Sequence, residues 1–289
     1  MRAPSIKVLG LQQRWRDWQN LCFAFPIVIQ GRSSKMHADL LTISRRLVGL
    51  PTLDACLDTV QASADRLGCK ALIYDYAPVP LSHEGVLITP SVFKVRNAPA
   101  DMQAFWCERG YYQIDPVQQC ASRRAAPFVW SFRSETRSAL REYLGDSHRP
   151  VTCYVRDSGL ATGVTVPLHL PGGAFATLTG ILDADAPDAE AAGEACLGAF
   201  LVLAHAFQAR ADELLAPAER RCGQIRLTPR ERECLQYSAK GLTAKRIAAT
   251  LNRSTATVNL HLNSAARKLG ARNRVEAVVR GLHYRLVEV

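Results

Sequence analysis

Hydrophobic and polar positions alternate with a helical period through the last quarter of the chain. Between residues 254 and 269, apolar side chains recur with the spacing of one helix face: Val258, Leu262, Ala265 and Leu269. Amide and cationic side chains recur on a different face of the same segment: Asn259, Asn263 and Arg267. The pattern predicts a helix that buries one face and exposes amides and a cation on another.

The neighbouring segments carry helix start signals. Thr228-Pro229-Arg230-Glu231 places a capping hydroxyl, a proline at the first helical position and a carboxylate three residues after the cap. Thr243 to Leu251 and Ser254 to Leu269 each begin on a hydroxyl residue, and only Asn252-Arg253 separates them. Two short helices joined by so tight a turn predict a helix-turn-helix unit whose second helix enters a DNA groove.

Residues 40–214 mix the periods of helices and strands. Helical period is predicted for residues 40–50, 53–67, 99–109, 134–143 and 190–214. Strands are predicted for residues 71–76, 86–89, 128–130, 163–170 and 174–181, the last two joined by the hairpin signal Pro171-Gly172-Gly173. Helices that flank adjacent, partly antiparallel strands indicate a layered α+β domain.

Charge divides the chain in the same way. From Glu219 onward there are 15 Lys/Arg and 5 Asp/Glu, an excess of ten positive charges that equals the net charge of the whole chain, +10. Residues 36–218 hold 15 Lys/Arg and 20 Asp/Glu. A polyanion such as double-stranded DNA is therefore the partner expected for the C-terminal part. A small helical bundle with a merely solvated polar face is the alternative.

These patterns predict four segments along the chain. They are an N-terminal extension at 1–35, a mixed domain at 36–214, a linker at 215–224 and a helical domain at 225–289. The extension holds 6 Lys/Arg, 1 Asp and no sustained period. We expect it to be a disordered arm or a stretch upstream of a native start at Met36, and a basic arm that helps to hold DNA is the alternative.

Cysteine usage limits the chemistry and the compartment. The nine cysteines form no Cys-x-x-Cys pair, and no histidine cluster has metal-ligand spacing. An odd number without a framework indicates reduced thiols and thus a cytoplasmic protein, for which we expect neither a metal nor another cofactor. The apolar run Leu21 to Ile29 is too short to span a bilayer and contains Pro26, so no membrane partner is expected.

The C-terminal motifs resemble the LuxR-type DNA-binding domain over about 60 residues with many fixed spacings. The shared positions are Leu227 to Glu231, Leu235, Gly241, Thr243, Ile247-Ala248, Thr257 to His261, Lys268 to Gly270 and Asn273-Arg274. Arg246 departs from the family, which usually carries an acid there. A cation near a helix start opposes the helix dipole, but it can contact phosphate.

The N-terminal domain resembles, more loosely, the autoinducer-binding domain of LuxR-type quorum-sensing regulators. The shared positions are Tyr111 to Val117, Pro127 to Trp130 and Gly163 to Leu168. The resemblance implies an α+β protein with an N-terminal α/β/α sandwich ligand-binding domain and a C-terminal all-α helix-turn-helix domain. The family's ligands are N-acyl homoserine lactones held in a closed cavity.

The resemblance also assigns roles to cavity residues. Asp115 would accept the ligand amide N–H, Trp130 would pack on the head group, and Thr179 would face the amide carbonyl. Met102 stands where the family usually has a Trp for the lactone carbonyl, and Trp106 stands where it usually has a Tyr. For Asp115 an N-capping turn, for Trp130 plain core packing and for Met102 gap filling are the alternatives.

The Met102/Trp106 pair changes the ligand expected. Methionine offers no N–H donor, so a lactone carbonyl would lose its partner. A similar pair occurs in the LuxR solos of plant-associated bacteria, which respond to low-molecular-weight plant compounds. We therefore expect a plant-derived signal, with an acyl homoserine lactone in a repacked pocket as the alternative.

The same resemblance implies dimeric DNA binding without catalysis. Asn259, Leu260 and Asn263 are the candidate base contacts, since Asn can be bidentate to adenine and Leu can touch a thymine methyl. Candidate phosphate contacts are Thr243, Lys245, Arg253, Thr257, His261, Arg267 and Lys268. Two chains would present two such helices to successive major grooves.

Two other functional classes were weighed. Cys153 with His148 or His169 offers a thiol nucleophile and a base, but the sequence gives no orienting third group. A dimerising partner that only sequesters another regulator is the second, and DNA binding by the pure protein would exclude it.

Overall fold

The structure is a computed structural model that describes residues 42–133, 139–183, 188–223 and 225–288. The predicted extension 1–35 and much of the predicted helix 134–143 lie outside these residues. Both predicted domains belong to one compact unit, Ile43–Val289. A short helical segment at 42–47 begins the described chain, where a helix was predicted for 40–50.

A five-stranded antiparallel sheet organises the N-terminal domain. Its strands are β1 (Cys69–Ala77), β2 (Val92–Arg96), β3 (Phe128–Ser131), β4 (Thr162–His169) and β5 (Phe175–Leu182). They are ordered β2-β1-β5-β4-β3, and Pro171–Gly173 turns β4 into β5 as predicted. The central strands β1, β4 and β5 are buried along nearly their whole length, as expected for a sheet covered by helices on each side.

The strand predicted for residues 86–89 is wrong. Those residues lie in a loop, which contains the single bridge between Leu81 and Leu87. The edge strand next to β1 is β2 instead, where Lys94 reaches Asp54 at 2.8 Å and Arg96 reaches Asp58 at 2.5 Å. Charged side chains are typical of an edge strand, and they break the hydrophobic pattern that a sequence search relies on.

One face of the sheet is covered by α1 (Leu53–Ala64) and α4 (Ala189–Leu214). Tyr74 packs edge-on against Phe207 with ring centroids 4.8 Å apart, and its hydroxyl donates to Gln208 Oε1 at 3.0 Å. Helix α4 is long and apolar enough to cross a membrane by length and composition alone. Its buried side, which includes Phe200 and Leu203, packs on the sheet as a core helix does.

The opposite face carries shorter elements and the cavity described below. They include a π-helical turn (Ala104–Glu108), α2 (Pro116–Ala121) and α3 (Arg149–Asp157). The helix predicted for 99–109 is realised only as residues 102–108, and it widens into the π turn. The sequence analysis missed α3, which has only two buried residues, Val151 and Val155. Helices on both faces confirm the α/β/α sandwich.

The C-terminal domain is all-α, as predicted. Its helices are α5 (Pro229–Ala239), α6 (Ala244–Leu251), α7 (Thr255–Lys268) and α8 (Arg274–His283). The predicted caps are all present: Thr228, Thr243 and Ser254 each accept a backbone N–H three residues later. Asn252, in the left-handed region at φ 50°, makes the tight turn between α6 and α7.

Residues 215–223, within the predicted linker, contact the N-terminal domain. Leu215 and Cys222 are buried, and Ser91 Oγ of the N-terminal domain donates to Glu219 O at 2.6 Å. Further along, the Tyr284 hydroxyl lies 2.8 Å from His83 Nδ1 and His283 Nε2 lies 2.9 Å from Leu81 O. The two domains therefore share an interface, which the sequence analysis did not predict.

Candidate ligand cavity and DNA-contacting surface

A cavity lies between the sheet and the elements on its second face. The volume of this cavity is about 20 Å³. It therefore holds about one water as it stands, and a larger ligand must displace side chains. All five residues predicted to contact a ligand line this cavity: Met102, Trp106, Asp115, Trp130 and Thr179.

Trp130 enters the cavity wall from β3, over a glycine of the neighbouring strand. Trp130 pairs in register with Gly163 of β4, and a Cβ at position 163 would lie 2.7 Å from the Trp130 ring. Glycine is thus required for the indole to lie across β4. Trp130 Nε1 donates to Thr165 Oγ1 at 2.8 Å, and Thr165 Oγ1 is 2.9 Å from Thr179 Oγ1. A polar ladder therefore crosses three strands within an apolar wall.

Trp106 is presented by the π-helical turn. The Arg109 N–H donates to Ala104 O at 3.0 Å, a bond to the fifth preceding residue that widens the helix at this point. The indole packs against the rings of Tyr111 and Tyr154, with centroids 5.6 and 5.4 Å away. Its Nε1 donates to Asp115 Oδ2 at 2.9 Å. The one N–H of this side chain is therefore committed inside the cavity wall.

Asp115 combines the two roles that the sequence suggested, an N-cap and a residue of the ligand cavity. Its Oδ1 accepts the Val117 N–H at 2.8 Å, so it caps α2, and its side chain also lines the cavity. Burial raises the pKa of this carboxyl, while the bonds from Trp106, Val117 and Gln118 lower it, and the balance places it at about 6. The group is mostly ionised at neutral pH and can accept a further hydrogen bond.

A second buried acid, Asp75, was missed by the sequence analysis. It is fully buried in β1 and accepts hydrogen bonds from Tyr112 Oη at 2.8 Å, Gln118 Nε2 at 2.8 Å and the Thr177 hydroxyl. Burial raises its pKa more than these three donors lower it, to about 7. The available signal was an acid inside the apolar strand Ala71–Tyr76, since a buried charge needs partners.

The candidate thiol nucleophile is not assembled with either histidine. Cys153 is exposed on α3. His148 Nε2 lies 3.2 Å from Gln119 Oε1 and His169 Nε2 lies 2.8 Å from the Arg124 carbonyl. Both rings are thus engaged with other groups. Among the described residues, no cluster of His, Cys, Asp or Glu could hold a metal ion.

The exposed face of α7 presents the candidate base contacts. Asn259 and Asn263 are exposed, and Leu260 is 67% exposed although it is a large apolar residue. The opposite face packs in the helical core through Val258 and Leu262. An amide–apolar–amide surface on the second helix of a helix-turn-helix is the geometry expected for contacts to base edges.

The candidate phosphate contacts differ in how available they are. Lys245, Arg253 and Arg267 are exposed, as are Arg246 and the cap residue Thr243, whereas Thr257 and His261 are half-buried. Lys268 Nζ instead donates to Glu231 Oε2 at 2.7 Å. Its charge is partly neutralised by that buried acid, so it is the least available cation of the set.

Glu231 has a structural role that sequence motifs only partly indicated. Besides closing the capping box with Thr228, it accepts from Ser264 Oγ at 2.7 Å and from Lys268, both on α7. Burial raises its pKa, but the bonds from Lys268, Thr228 and Ser264 lower it further, to about 2. One carboxylate therefore fixes α5 against α7.

Comparison with known proteins covers both domains. Residues 52–211 match the family described as "Autoinducer binding domain", and residues 226–280 match "Bacterial regulatory proteins, luxR family". The first match alone spans more than half of the chain. The protein belongs to the LuxR family of bacterial transcriptional regulators.

Relatives of this LuxR-family protein include several characterised regulators. It is 32% identical over 221 residues to the quorum sensing-dependent transcriptional regulator RpaR of Rhodopseudomonas palustris, a match covering 76% of this chain and 84% of RpaR. It is 30% identical to the transcriptional activator SolR of Ralstonia nicotianae, covering 75% of this chain and 88% of SolR. These relatives are transcriptional regulators rather than enzymes, which argues against the thiol-nucleophile alternative.

A solved structure supports the fold. SdiA in complex with octanoyl-rac-glycerol superposes with a TM-score of 0.51 at 19% identity, covering 91% of this chain and 100% of that chain. The LuxR-family protein therefore shares the arrangement of a sheet-based ligand domain followed by a helical DNA-binding domain.

Proposed function

We propose that this LuxR-family regulator is a cytoplasmic sensor of a plant-derived small molecule and binds promoter DNA as a homodimer. In this respect it would resemble the LuxR solos of plant-associated bacteria. The hydrogen bond from Trp106 Nε1 to Asp115 Oδ2 carries the proposal for the ligand.

A lactone carbonyl bound in this cavity would need a hydrogen-bond donor. Met102, at the position where the family usually supplies an indole N–H, has only a thioether. Trp106 has an N–H, but it is already donated to Asp115. A buried carbonyl without a donor costs about 1–3 kcal/mol, which is about tenfold or more in affinity. The cavity is therefore a poor site for a homoserine lactone ring.

A classical acyl homoserine lactone receptor is the second candidate function. Asp115, Trp130 and Thr179 line the cavity, as that function requires. The relative RpaR is itself described as a quorum sensing-dependent regulator. These features favour a ligand that carries an amide under either function. The two candidate functions therefore differ in the head group of the ligand and not in the whole cavity.

Thermal unfolding of the full chain separates the two candidates, because a ligand that binds only the folded state raises Tm. The protein would be tested with N-acyl homoserine lactones of several chain lengths and with fractions of plant extract. Stabilisation by an extract fraction and by none of the lactones supports the proposal. Stabilisation by a lactone favours the second candidate.

DNA binding is supported by the charge and the exposed face of α7. The ten excess positive charges lie from Glu219 onward, where the helix-turn-helix is. Two exposed valines one turn apart on α8, Val275 at 73% and Val279 at 59%, offer an apolar surface for a second copy. A gel-shift titration with pure protein tests DNA binding, and failure to bind any promoter fragment would favour the sequestering alternative.

A further inference from the structure

The Gln118 carboxamide is a buried polar group that the ligand argument above does not use. Gln118 is 3% exposed, lies in the first turn of α2 three residues after Asp115, and lines the cavity. Its Nε2 donates to Asp75 Oδ2 at 2.8 Å and to Thr177 Oγ1 at 3.1 Å. Its Oε1 is buried and has no hydrogen-bond partner among the described residues.

The orientation of this amide is fixed by its neighbours. Exchanging its oxygen and nitrogen would place Oε1 against the Asp75 carboxylate, and two acceptors would then face each other. The oxygen therefore remains a buried acceptor in the cavity wall. A buried acceptor without a donor is costly, and a ligand that supplies the donor recovers that cost.

The side-chain donors that line the cavity are nearly all committed. Trp106 Nε1 donates to Asp115, Trp130 Nε1 donates to Thr165, and Gln118 Nε2 donates to Asp75 and Thr177. The Thr179 hydroxyl is the exception among these groups. When Thr165 donates across their 2.9 Å contact, the Thr179 proton can be donated to a ligand carbonyl.

We propose that Gln118 Oε1 is a second ligand acceptor beside Asp115. The signal then carries two donors, N–H or O–H, one for each of these residues, together with a carbonyl for Thr179. This inference rests on the proposed function, because it specifies the chemical class of the same ligand. It makes Gln118 the residue that selects a hydroxyl- or amine-bearing head group.

An acyl homoserine lactone meets only part of this requirement. Its amide supplies a carbonyl for Thr179 and an N–H for Asp115, but its ring contains only acceptor oxygens. Such a ring leaves Gln118 Oε1 without a donor and leaves its own carbonyl without one as well. An N-acyl amino alcohol of the same acyl length satisfies all three groups.

The test compares ligands that differ in one group. N-hexanoylethanolamine and N-propylhexanamide have the same number of heavy atoms, and the first carries a hydroxyl where the second carries a methyl. We expect the full chain to bind the alcohol about tenfold or more tightly, although the methyl compound is the more hydrophobic. N-hexanoyl homoserine lactone is titrated in parallel and is expected to bind more weakly than the alcohol.

Two protein variants test whether Gln118 is responsible for the preference for the alcohol. Gln118→Met removes the acceptor and should reduce the alcohol-to-methyl affinity ratio to about one. Gln208→Met is the matched control, because it makes the same substitution at a buried amide on α4 that does not line the cavity. It should keep the wild-type ratio. If Gln118→Met fails to fold, the comparison of the two ligands on the wild-type chain still decides.

Several outcomes overturn the inference. Equal or tighter binding of N-propylhexanamide by the wild type, or an unchanged ratio in Gln118→Met, shows that Gln118 Oε1 does not recognise a ligand donor. Failure of all three probes to raise Tm also rejects this ligand class. The proposed function is judged separately, by stabilisation with plant extract fractions and by DNA binding, so failure of the proposed function is distinguishable from failure of this inference.

Discussion

The two domains place their functional polar groups in opposite environments. On α7, Asn259 and Asn263 are exposed, while Ser254 caps the helix and Ser264 and Lys268 bind the buried Glu231. In the ligand domain the polar groups are buried and bonded to one another. Asp75 gathers partners that lie 37, 43 and 102 residues away along the chain.

In the DNA-binding domain, the residues proposed to recognise DNA bases are not those that stabilise the fold. In the ligand domain, the same buried residues serve both recognition and stability. An exposed amide on α7 can be changed with little effect on folding, because its hydrogen bonds are made to water in both the folded and the unfolded state. A buried carboxylate in the ligand domain holds the cavity wall and supports ligand recognition at once, so its loss should affect both.

The largest expected effect is that of Asp75→Ala. Three buried donors lose their acceptor, and at about 1 kcal/mol or more each the free energy of unfolding should fall by about 3 kcal/mol or more. Urea unfolding followed by tryptophan fluorescence measures it, because Trp106 and Trp130 lie in this domain. Asp54→Ala is the control, since its ion pairs are half-exposed and should contribute about 0–1 kcal/mol. Equal losses in the two variants would contradict the buried network.

The next effect is a pH dependence that differs between the domains. Asp75 and Asp115 have folded pKa values of about 7 and about 6, above the value of 3.8 for a free Asp. Between pH 3.8 and about 7, the folded state therefore holds more protons than the unfolded state. The stability of the ligand domain should therefore fall as pH rises from 5 to about 7 and then level off.

Glu231 should act in the opposite direction in the DNA-binding domain. Its folded pKa of about 2 lies below the free value of 4.5, so its contribution is fully present above that value and is lost as pH falls toward 2. Glu231 should therefore add no pH dependence between pH 5 and 8. The Tm reported by tryptophan fluorescence, from Trp106 and Trp130 of the ligand domain, should fall up to about pH 7. A Tm that stays constant or rises between pH 5 and 7 would show that the two acids are not buried as described.

A smaller effect is expected for Glu231→Ala. The Thr228 N–H and the Ser264 hydroxyl lose their acceptor and Lys268 loses its counter-charge, so about 2 kcal/mol of stability should be lost. Glu233→Ala removes a surface pair with Arg230 and should cost about 0.5 kcal/mol or less. Circular dichroism during denaturation compares them. DNA affinity at low temperature should be retained, because Lys268 is released rather than removed.

The smallest effect on stability, and the most specific one on function, is expected on α7. Asn259→Ala should reduce discrimination between promoter and random DNA by about 1–3 kcal/mol without changing the salt dependence. Lys245→Ala should weaken both DNAs alike and reduce the salt slope by about 1. Gel-shift titrations at several salt concentrations measure both. The same behaviour from both variants would reject the assignment of base and phosphate contacts.

Local patterns determined three helices of the helix-turn-helix domain. The capping hydroxyls at Thr228, Thr243 and Ser254 and the apolar face of α7 act within a few residues of chain, so the sequence alone defines where α5, α6 and α7 begin and which face of α7 is buried. Caps and amphipathic faces need no knowledge of distant segments. The excess of positive charge indicated DNA binding for the same reason, because charges can be counted along the sequence without knowledge of the structure.

Tertiary structure alone decided the cavity chemistry. The sequence and its resemblance to LuxR-type domains named Asp115, Trp130 and Thr179, but not that Trp106 would give its N–H to Asp115. They also did not indicate that Gln118 of α2 would donate to Asp75 of β1. These bonds depend on strand pairing and on a π-helical turn, both of which arise from packing between distant segments. Which donors and acceptors remain for a ligand is therefore a property of the fold.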